Sequence, residues 1–325
     1  MPADQIPHLV IAFARCRSDA WLPAMRSLPA DSLRNLAKLL AGMKLVGTDI
    51  GDADSLSTPH ERALARVEGL AQAPVDGLIP WAARQAALNA ATAALTGKAW
   101  AFITPCHWAM GRQHATLTDP AALRLLPQDM QTLMLAMQPY FETEGITLHA
   151  PVAAEPVHWL AEGEVFRQLP TASLDRVLGR DVDRWLPASK AIKLLQNEMQ
   201  MLLYTHALND ARVANRSLPV NSFWLSGTGA LSQPVDRTAA EIIAPRGLAQ
   251  AAFADDWSAY AQAWQTLDAA DIAALLARQN AGETVRLTLC SESTAQTFEA
   301  TDIGVFARIK GVLSPRPALN MLQQL

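Results

Sequence analysis

Cysteine is scarce in this chain, and its three copies, Cys16, Cys106 and Cys290, stand far apart. An odd, scattered set suits a reducing cytoplasm and argues against a disulfide framework. A zinc site built on paired thiolates is excluded too, because no two cysteines lie close in sequence. Charge is also sparse, at 18% of residues against 50% hydrophobic, which excludes a mainly disordered chain. Positive charge is in deficit: the formal net charge is -4, so neither nucleic acid nor anionic membrane is an expected partner. No window approaches a run of 18 apolar residues, so no span of a bilayer is expected. Tyrosine is rare, and the tryptophans have no basic stripe beside them. Trp224, Trp257 and Trp264 are therefore expected in a core or an interface, not on a nucleic-acid stacking platform. Histidine stops at His206; none follows it.

The chain does have length and alternation. Its 325 residues suffice for a substantial core, as one large α/β unit or two closely joined halves. The start, MPADQIPHLVIAFARC, has an apolar run but no basic region ahead of it. Asp4 sits where a secretory leader wants Lys or Arg, so HLVIAFA reads as a first strand. Beyond it, short apolar runs alternate with helical patterns. Asp31 to Leu45 reads as a helix with Leu33, Leu36, Leu39 and Leu40 in one stripe, and Trp81 to Leu95 as an alanine-rich helix before the strand Ala99 to Thr104. Pro127 to Glu144 is a helix with Met130, Leu133, Met134 and Met137 on one face. Strands are expected over Ile146 to His149 and His158 to Leu160, around a Pro-containing loop. The longest helix is expected from about Ser189 to Asn215, and further strands over Val220 to Leu225, Glu241 to Ala244 and Val285 to Leu289. Helices around Trp257 to Leu267 and Ala270 to Gln279 complete the pattern. Exposed loops are expected over Gly47 to Ser57 and Leu231 to Thr238. Strands separated by helices imply a mostly parallel central sheet with helices on both faces. The domain reading is one α/β domain over 1–325 with an inserted subregion at about 60–185.

The most polar passage inside an apolar setting is LLYTHALNDARVANRSLPVNSFWLSGTGAL, 202–231. On a helix His206, Asn209 and Asp210 share a face, with Arg212 beside them. Pro219 opens a strand that runs into Ser226-Gly227-Thr228-Gly229. In parallel α/β sheets ligands collect at the carboxyl ends of strands, and two glycines there let successive N–H groups turn toward an anion. His206, Asn209, Arg212, Asn221, Ser226, Gly227, Thr228 and Gly229 thus form a candidate anion site. The plainer reading is that Asn209 and Asn221 satisfy turn backbone, His206 caps a helix, and the glycines make a tight turn. It is not a dinucleotide fingerprint, because position 232 is Ser where the third glycine belongs.

The order His206-x-x-Asn209-x-x-Arg212, then Leu218-Pro219-x-Asn221, an apolar strand and Gly227-x-Gly229, resembles a segment of the archaeal-type cofactor-independent phosphoglycerate mutases. HLVIAFA and SLRNLAKLLAG look like that family's first strand and first helix. Nearly the whole chain also resembles a group of bacterial RpfE-type regulatory proteins, through TPCHW, QNEMQMLLYTH and VNSFWLSGTGAL. The mutase resemblance implies a reduced alkaline-phosphatase-like α/β fold. In the mutases the first strand ends in a metal-binding Asp, with a Ser or Thr nucleophile nearby and His and Asp ligands in the C-terminal part. Here that strand ends Ala12-Phe13-Ala14-Arg15, the nearby nucleophile candidates are Cys16 and Ser18, and no histidine follows His206. Two-metal phosphoryl transfer needs several such ligands.

Other clusters carry less. Cys106, His107 and His114 in TPCHWAMGRQH match no standard metal spacing, and adjacent residues on an extended strand face opposite ways, a poor nucleophile–base geometry. SLDRVLGRDVDRW, with Asp175, Arg176, Arg180, Asp181 and Asp183, reads as a surface network of alternating charges, with a phosphate near Arg176 and Arg180 as the other reading. GDADSLSTPHERAL lacks the EF-hand pattern; Thr58-Pro59-His60-Glu61 reads as a capped helix start. The expected function is a catalytically impaired phosphoglycerate-mutase-like protein that binds a small anionic or phosphorylated ligand in a regulatory role, without a cofactor. An active metal-dependent phosphomutase or phosphatase with relocated ligands, and a non-catalytic interaction scaffold, are the alternatives.

Overall fold

The computed structural model describes residues 6–70, 75–89, 91–95, 97–150, 158–235, 241–300 and 318–325. In chain order the strands are β1 (His8–Ile11), β2 (Met43–Ile50), β3 (Ala99–Cys106), β4 (Trp108–Met110), β5 (Ala115–Leu117), β6 (Thr147–His149), β7 (Trp159–Glu162), β8 (Ser222–Ala230), β9 (Ile242–Ile243), β10 (Arg286–Cys290) and β11 (Thr294–Ala300). The helices are α1 (Trp21–Arg26), α2 (Arg34–Ala41), α3 (Pro59–Val67), α4 (Trp81–Leu88), α5 (Pro127–Thr143), α6 (Leu174–Val177), α7 (Lys190–Tyr204), α8 (Ala207–Ala214), α9 (Gly247–Phe253), α10 (Trp257–Leu267), α11 (Ala273–Asn280) and α12 (Ala318–Leu322). The Pro-containing loop expected between β6 and β7, and the end of the loop expected over 231–238, lie outside the described residues. No helix among the described residues is long and apolar enough to cross a membrane.

The contacts group the chain into two units, one of Met1–Asp54, Thr58–Gly69 and Thr238–Leu325, the other of Ser55–Ser57 and Leu70–Arg237. The first unit holds a five-stranded sheet in the order β2-β11-β10-β1-β9. β1 runs parallel to β10 and β9, while β11 is antiparallel to both β10 and β2. The sheet is therefore mixed, which corrects the mostly parallel expectation. Two causes are local. Only Ser291–Ser293 separate β10 from β11, a link long enough for a hairpin and too short for a parallel crossover. The helix expected over Asp31 to Leu45 ends at Ala41, and Met43–Ile50 becomes an exposed edge strand against β11. Asp268 fixes where that helix begins, its carboxylate accepting from the N–H groups of Asn35 (3.1 Å) and Leu36 (2.8 Å). Leu36 and Leu39 then pack with Leu9, Ile11, Tyr260, Trp264, Leu287 and Leu289 in one core. Thr58 caps α3 as the sequence predicts, its N–H donating to Glu61 Oε2 at 3.0 Å.

The second unit is built on the sheet β6-β7-β3-β8, antiparallel throughout. A helix between two strands does not make them neighbours: α7 and α8 lie between β7 and β8, yet both strands pair with β3. Alternation along β3 sorts the two faces. Ala99, Ala101 and Ile103 pack with Met130, Leu133, Met137 and Phe141 of α5 and with Ile192, Leu195, Met199 and Leu203 of α7. Trp100 packs instead against Ala82, Ala83 and Ala86 of α4. The fold class is mixed α/β.

Candidate functional site

The long helix expected over 189–215 is two helices, and the break has a visible cause. α7 ends at Tyr204; His206 then caps α8, its Nδ1 accepting from the Leu208 N–H at 3.1 Å. Asn209 sits behind the break, buried, and spends its whole amide on backbone. Its Nδ2 donates to Leu203 O (2.8 Å) and Val220 O (2.6 Å), and its Oδ1 accepts from Val220 N–H (2.9 Å). Arg212 is only 8% exposed. Its Nε donates to Leu218 O at 2.8 Å, its Nη2 to Leu123 O, and its Nη1 lies 3.8 Å from Asp129. The side-chain half of the candidate anion site thus ties the α7–α8–β8 passage together.

The glycine half takes a different form from the one expected. Ser226-Gly227-Thr228-Gly229 is no turn: β8 continues through it to Ala230, paired with β3. Gly227 (φ 64°) and Gly229 (φ 133°) hold positive φ within the strand. A Cβ on Gly227 would lie 2.7 Å from the Phe102 ring, and one on Gly229 3.2 Å from Pro80. The glycines let β8 lie close to β3 and the start of α4. Ser226 is buried in the strand. Thr228 is buried as well, donating to Leu169 O at 2.6 Å and lying 3.0 Å from the Thr171 hydroxyl.

β3–β8 pairing brings together two motifs that lie more than a hundred residues apart. Cys106 stands opposite Ser222, which sets TPCHW beside LPVNS. The His107 Nδ1 donates to Pro219 O at 2.9 Å. Asn221 Oδ1 accepts from the Trp108 N–H at 2.7 Å, and its Nδ2 donates to Trp108 O at 3.0 Å. Burial raises the Cys106 thiol well above its ordinary value, with a hydrogen bond from Trp108 opposing the shift. An un-ionised thiol is a poor nucleophile and a poor metal ligand.

Beside these contacts opens a cleft of about 970 Å³ within the second unit. One wall is the β4–β5 hairpin, closed by Gly111 N–H on His114 O at 2.9 Å, with Arg112 and Gln113 at its tip. The facing helices contribute Asn197, Gln200, Leu203 and Tyr204 from α7 and Asn209, Asp210 and Val213 from α8. Asn221, Pro219, Leu186 and Asp183 complete it. Its lining mixes apolar side chains such as Trp108, Met110, Leu186 and Val213 with polar ones, and its volume is that of a small-molecule site. Of the eight candidate residues, Asn209 and Asn221 line it. His114 lines it too, whereas Cys106 and His107 do not. Arg112, Asn197 and Gln200 escaped sequence reasoning, since scattered polar residues carry no spacing signal. Asp210 and Asp183 stood out in sequence, Asp210 on the His206 face and Asp183 in a charge network, but not as walls of one cleft.

SLDRVLGRDVDRW is only partly a surface network. Asp175 and Arg176 are buried, and Arg176 Nη2 donates to Ser55 Oγ (3.1 Å) and Ser57 O (3.2 Å). The guanidinium pins the 55–57 segment, which the alternating charge pattern concealed.

The end of β1, where the mutase resemblance implies a metal-binding Asp, is packed with aromatic groups. Phe13 is buried at φ 54°, its ring 4.8 Å from Phe253 and 5.7 Å from His60. The Tyr260 hydroxyl donates to Phe13 O at 2.7 Å and lies 3.2 Å from Ala14 O. Burial, with the Glu292 carboxylate adding to it, pushes the Cys16 thiol up to about 12. His60 Nε2 lies 3.2 Å from Thr58 Oγ1. An aromatic side chain, tied-down carbonyls and an un-ionised thiol do not fit a pair of hard divalent ions. Among the described residues no three His, Cys, Asp or Glu side chains gather where they could hold a metal.

Fold and cleft place the chain among mixed α/β proteins with a ligand-sized groove. No protein-family model matches it, and no curated protein matches its sequence. Among solved structures it is similar to a cofactor-independent phosphoglycerate mutase from Thermoplasma acidophilum DSM 1728. That match has 12% identity, covers 98% of each chain and has a TM-score of 0.35. It is also similar to the PH0037 protein from Pyrococcus horikoshii, at 11% identity over 95% of this chain and 93% of that one, with a TM-score of 0.43.

Proposed function

We propose that the protein works by binding, as a phosphoglycerate-mutase-like chain impaired in phosphoryl transfer, and that its second-unit cleft holds a small anionic or phosphorylated ligand. One observation carries the reading: Arg112 and His114 stand exposed on the wall of a cleft that is also lined by the amide residues Asn197 and Gln200. A guanidinium and two amide side chains lining one cleft offer an anion charge-assisted contacts, worth roughly 1.5–3 kcal/mol each. The packing of Phe13 and Tyr260 at the end of β1 supports binding over metal-dependent transfer. A regulatory role accords with the resemblance of TPCHW and VNSFWLSGTGAL to the RpfE-type group.

The test is thermal unfolding against a panel of phosphorylated metabolites, for wild type and Arg112→Ala, beside an assay of 3-phosphoglycerate turnover with manganese. The reading expects at least one stabilising compound whose effect falls about tenfold or more in affinity on removing Arg112. Manganese-dependent turnover abolished by a chelator would favour the active phosphomutase instead.

A further inference from the structure

The hairpin that walls the cleft has two outer edges, and their occupancy differs. Along the β5 edge the chain of 179–182 is already seated. Leu117 N–H donates to Arg180 O (3.3 Å), Gly179 N–H to Leu117 O (2.8 Å) and Val182 N–H to Ala115 O (3.0 Å). Along the β4 edge the seat at Trp108 is taken by a side chain, with the Asn221 amide on both Trp108 N–H and Trp108 O.

Antiparallel pairing fixes where the next seat lies. Thr118 N–H donates to His107 O and Gly111 N–H to His114 O, so residues 107, 109 and 111 turn their backbone groups toward β5. Trp108 and Met110 therefore turn theirs outward. Met110 is 80% exposed and lines the cleft, as does Tyr204 at 83%. A strand's outward N–H and C=O beside a groove is a template for a further strand.

We infer that the cleft accepts an extended peptide segment, added as a third strand along the β4 edge at Met110, in line with the Asn221 amide. The inference rests on the cleft being the binding site and goes beyond a small anion to an occupant of mixed charge. Alternate side chains of the segment enter between Trp108, Leu186, Leu203 and Val213. Wall charge sets the rest of its chemistry: Arg112 at the hairpin tip takes an acidic side chain, and Asp183 and Asp210 take a basic one. Asn221 shows that this edge accepts an amide partner in strand geometry.

The experiment is selection of a phage-displayed library of random linear heptapeptides on the full chain, followed by affinity measurement on the best synthetic peptide. Enriched peptides should carry apolar residues at alternate positions with one acidic and one basic residue among them. N-methylating the peptide amides of one parity should weaken binding at least tenfold, and of the other parity less than twofold, since only alternate N–H groups meet the edge. Met110→Pro, which removes an outward N–H without touching the β5 ladder, should weaken binding at least tenfold with an unchanged melting temperature. The N-methyl series needs no protein variant, so it decides the matter if Met110→Pro unfolds. Equal effects at both parities, or no enriched peptide, would overturn strand addition. If phosphorylated small molecules then still stabilise the protein through Arg112, the cleft stands as the ligand site and this inference alone falls.

Discussion

Asn221 makes with Trp108 the two hydrogen bonds that one strand residue makes with another, at 2.7 Å to its N–H and 3.0 Å from its C=O. A single side chain thereby fastens the hairpin wall of the cleft to the start of β8. Asn221→Ala leaves both Trp108 groups without that partner and should cost about 1–3 kcal/mol in denaturant unfolding, with weaker ligand binding. Asn221→Asp keeps the acceptor but sets a carboxylate against the Trp108 carbonyl, so it should be no milder. Full stability in either variant would show that β4 is held by other contacts.

Arg212 is a structural cation in this fold. Arg212→Ala strips Leu218 O and Leu123 O of their donor and should destabilise by about 2–4 kcal/mol. Arg212→Lys retains charge but not the fork and should recover only part of that loss. Chemical denaturation of both decides it. A stable Arg212→Ala with lost ligand binding would return this residue to the anion site.

Gly227→Ala tests the strand geometry. A methyl group there needs φ near 64° and lies 2.7 Å from the Phe102 ring. A loss of about 1–3 kcal/mol in unfolding experiments is expected, with no compensating gain. A neutral result would mean that β8 has room to shift away from β3.

Acid should weaken the first unit through His8. Burial, with the Arg286 guanidinium adding to it, lowers His8 to about 4 from its ordinary 6.5. The unfolded chain therefore binds a proton between pH 6.5 and 4 where the folded chain does not. Stability rises with pH through that window and is fully present above 6.5. Its loss on acidification is on the order of a few kcal/mol. His158, also lowered to about 4 by burial, adds a contribution of the same sign in the second unit. Urea unfolding at pH 7, 6, 5 and 4 should show a shallower dependence in His8→Leu than in wild type. Parallel curves would mean that His8 takes up its proton normally in the fold.

Much of the element order was legible in the sequence. Apolar periodicity located α5, α10, β3 and the start of α7 closely, though not the break before α8, and the plain reading of Asn209, Asn221 and His206 describes their contacts well. Strand direction was not legible, because a tight β10–β11 link and an edge strand over Met43–Ile50 leave no periodic trace. Nor was the continuation of β8 through Gly227 and Gly229, which depends on Phe102 and Pro80 approaching from far along the chain. The cleft was half legible: His114, Asn209 and Asn221 stood out by type, whereas Arg112 at the hairpin tip, Gln200 on α7 and Asp183 beyond the 179–182 segment join them only in the fold.

Hydrogen exchange, with and without the most stabilising compound of the phosphorylated panel, tests most directly the claim that the protein binds its ligand in the second-unit cleft. Protection is expected at amides of 108–115 and 203–214, and not around Phe13, Cys16 and His60. Protection centred on Phe13–Cys16, with the hairpin and α8 unchanged, would contradict the account and restore the end of β1 as the working site.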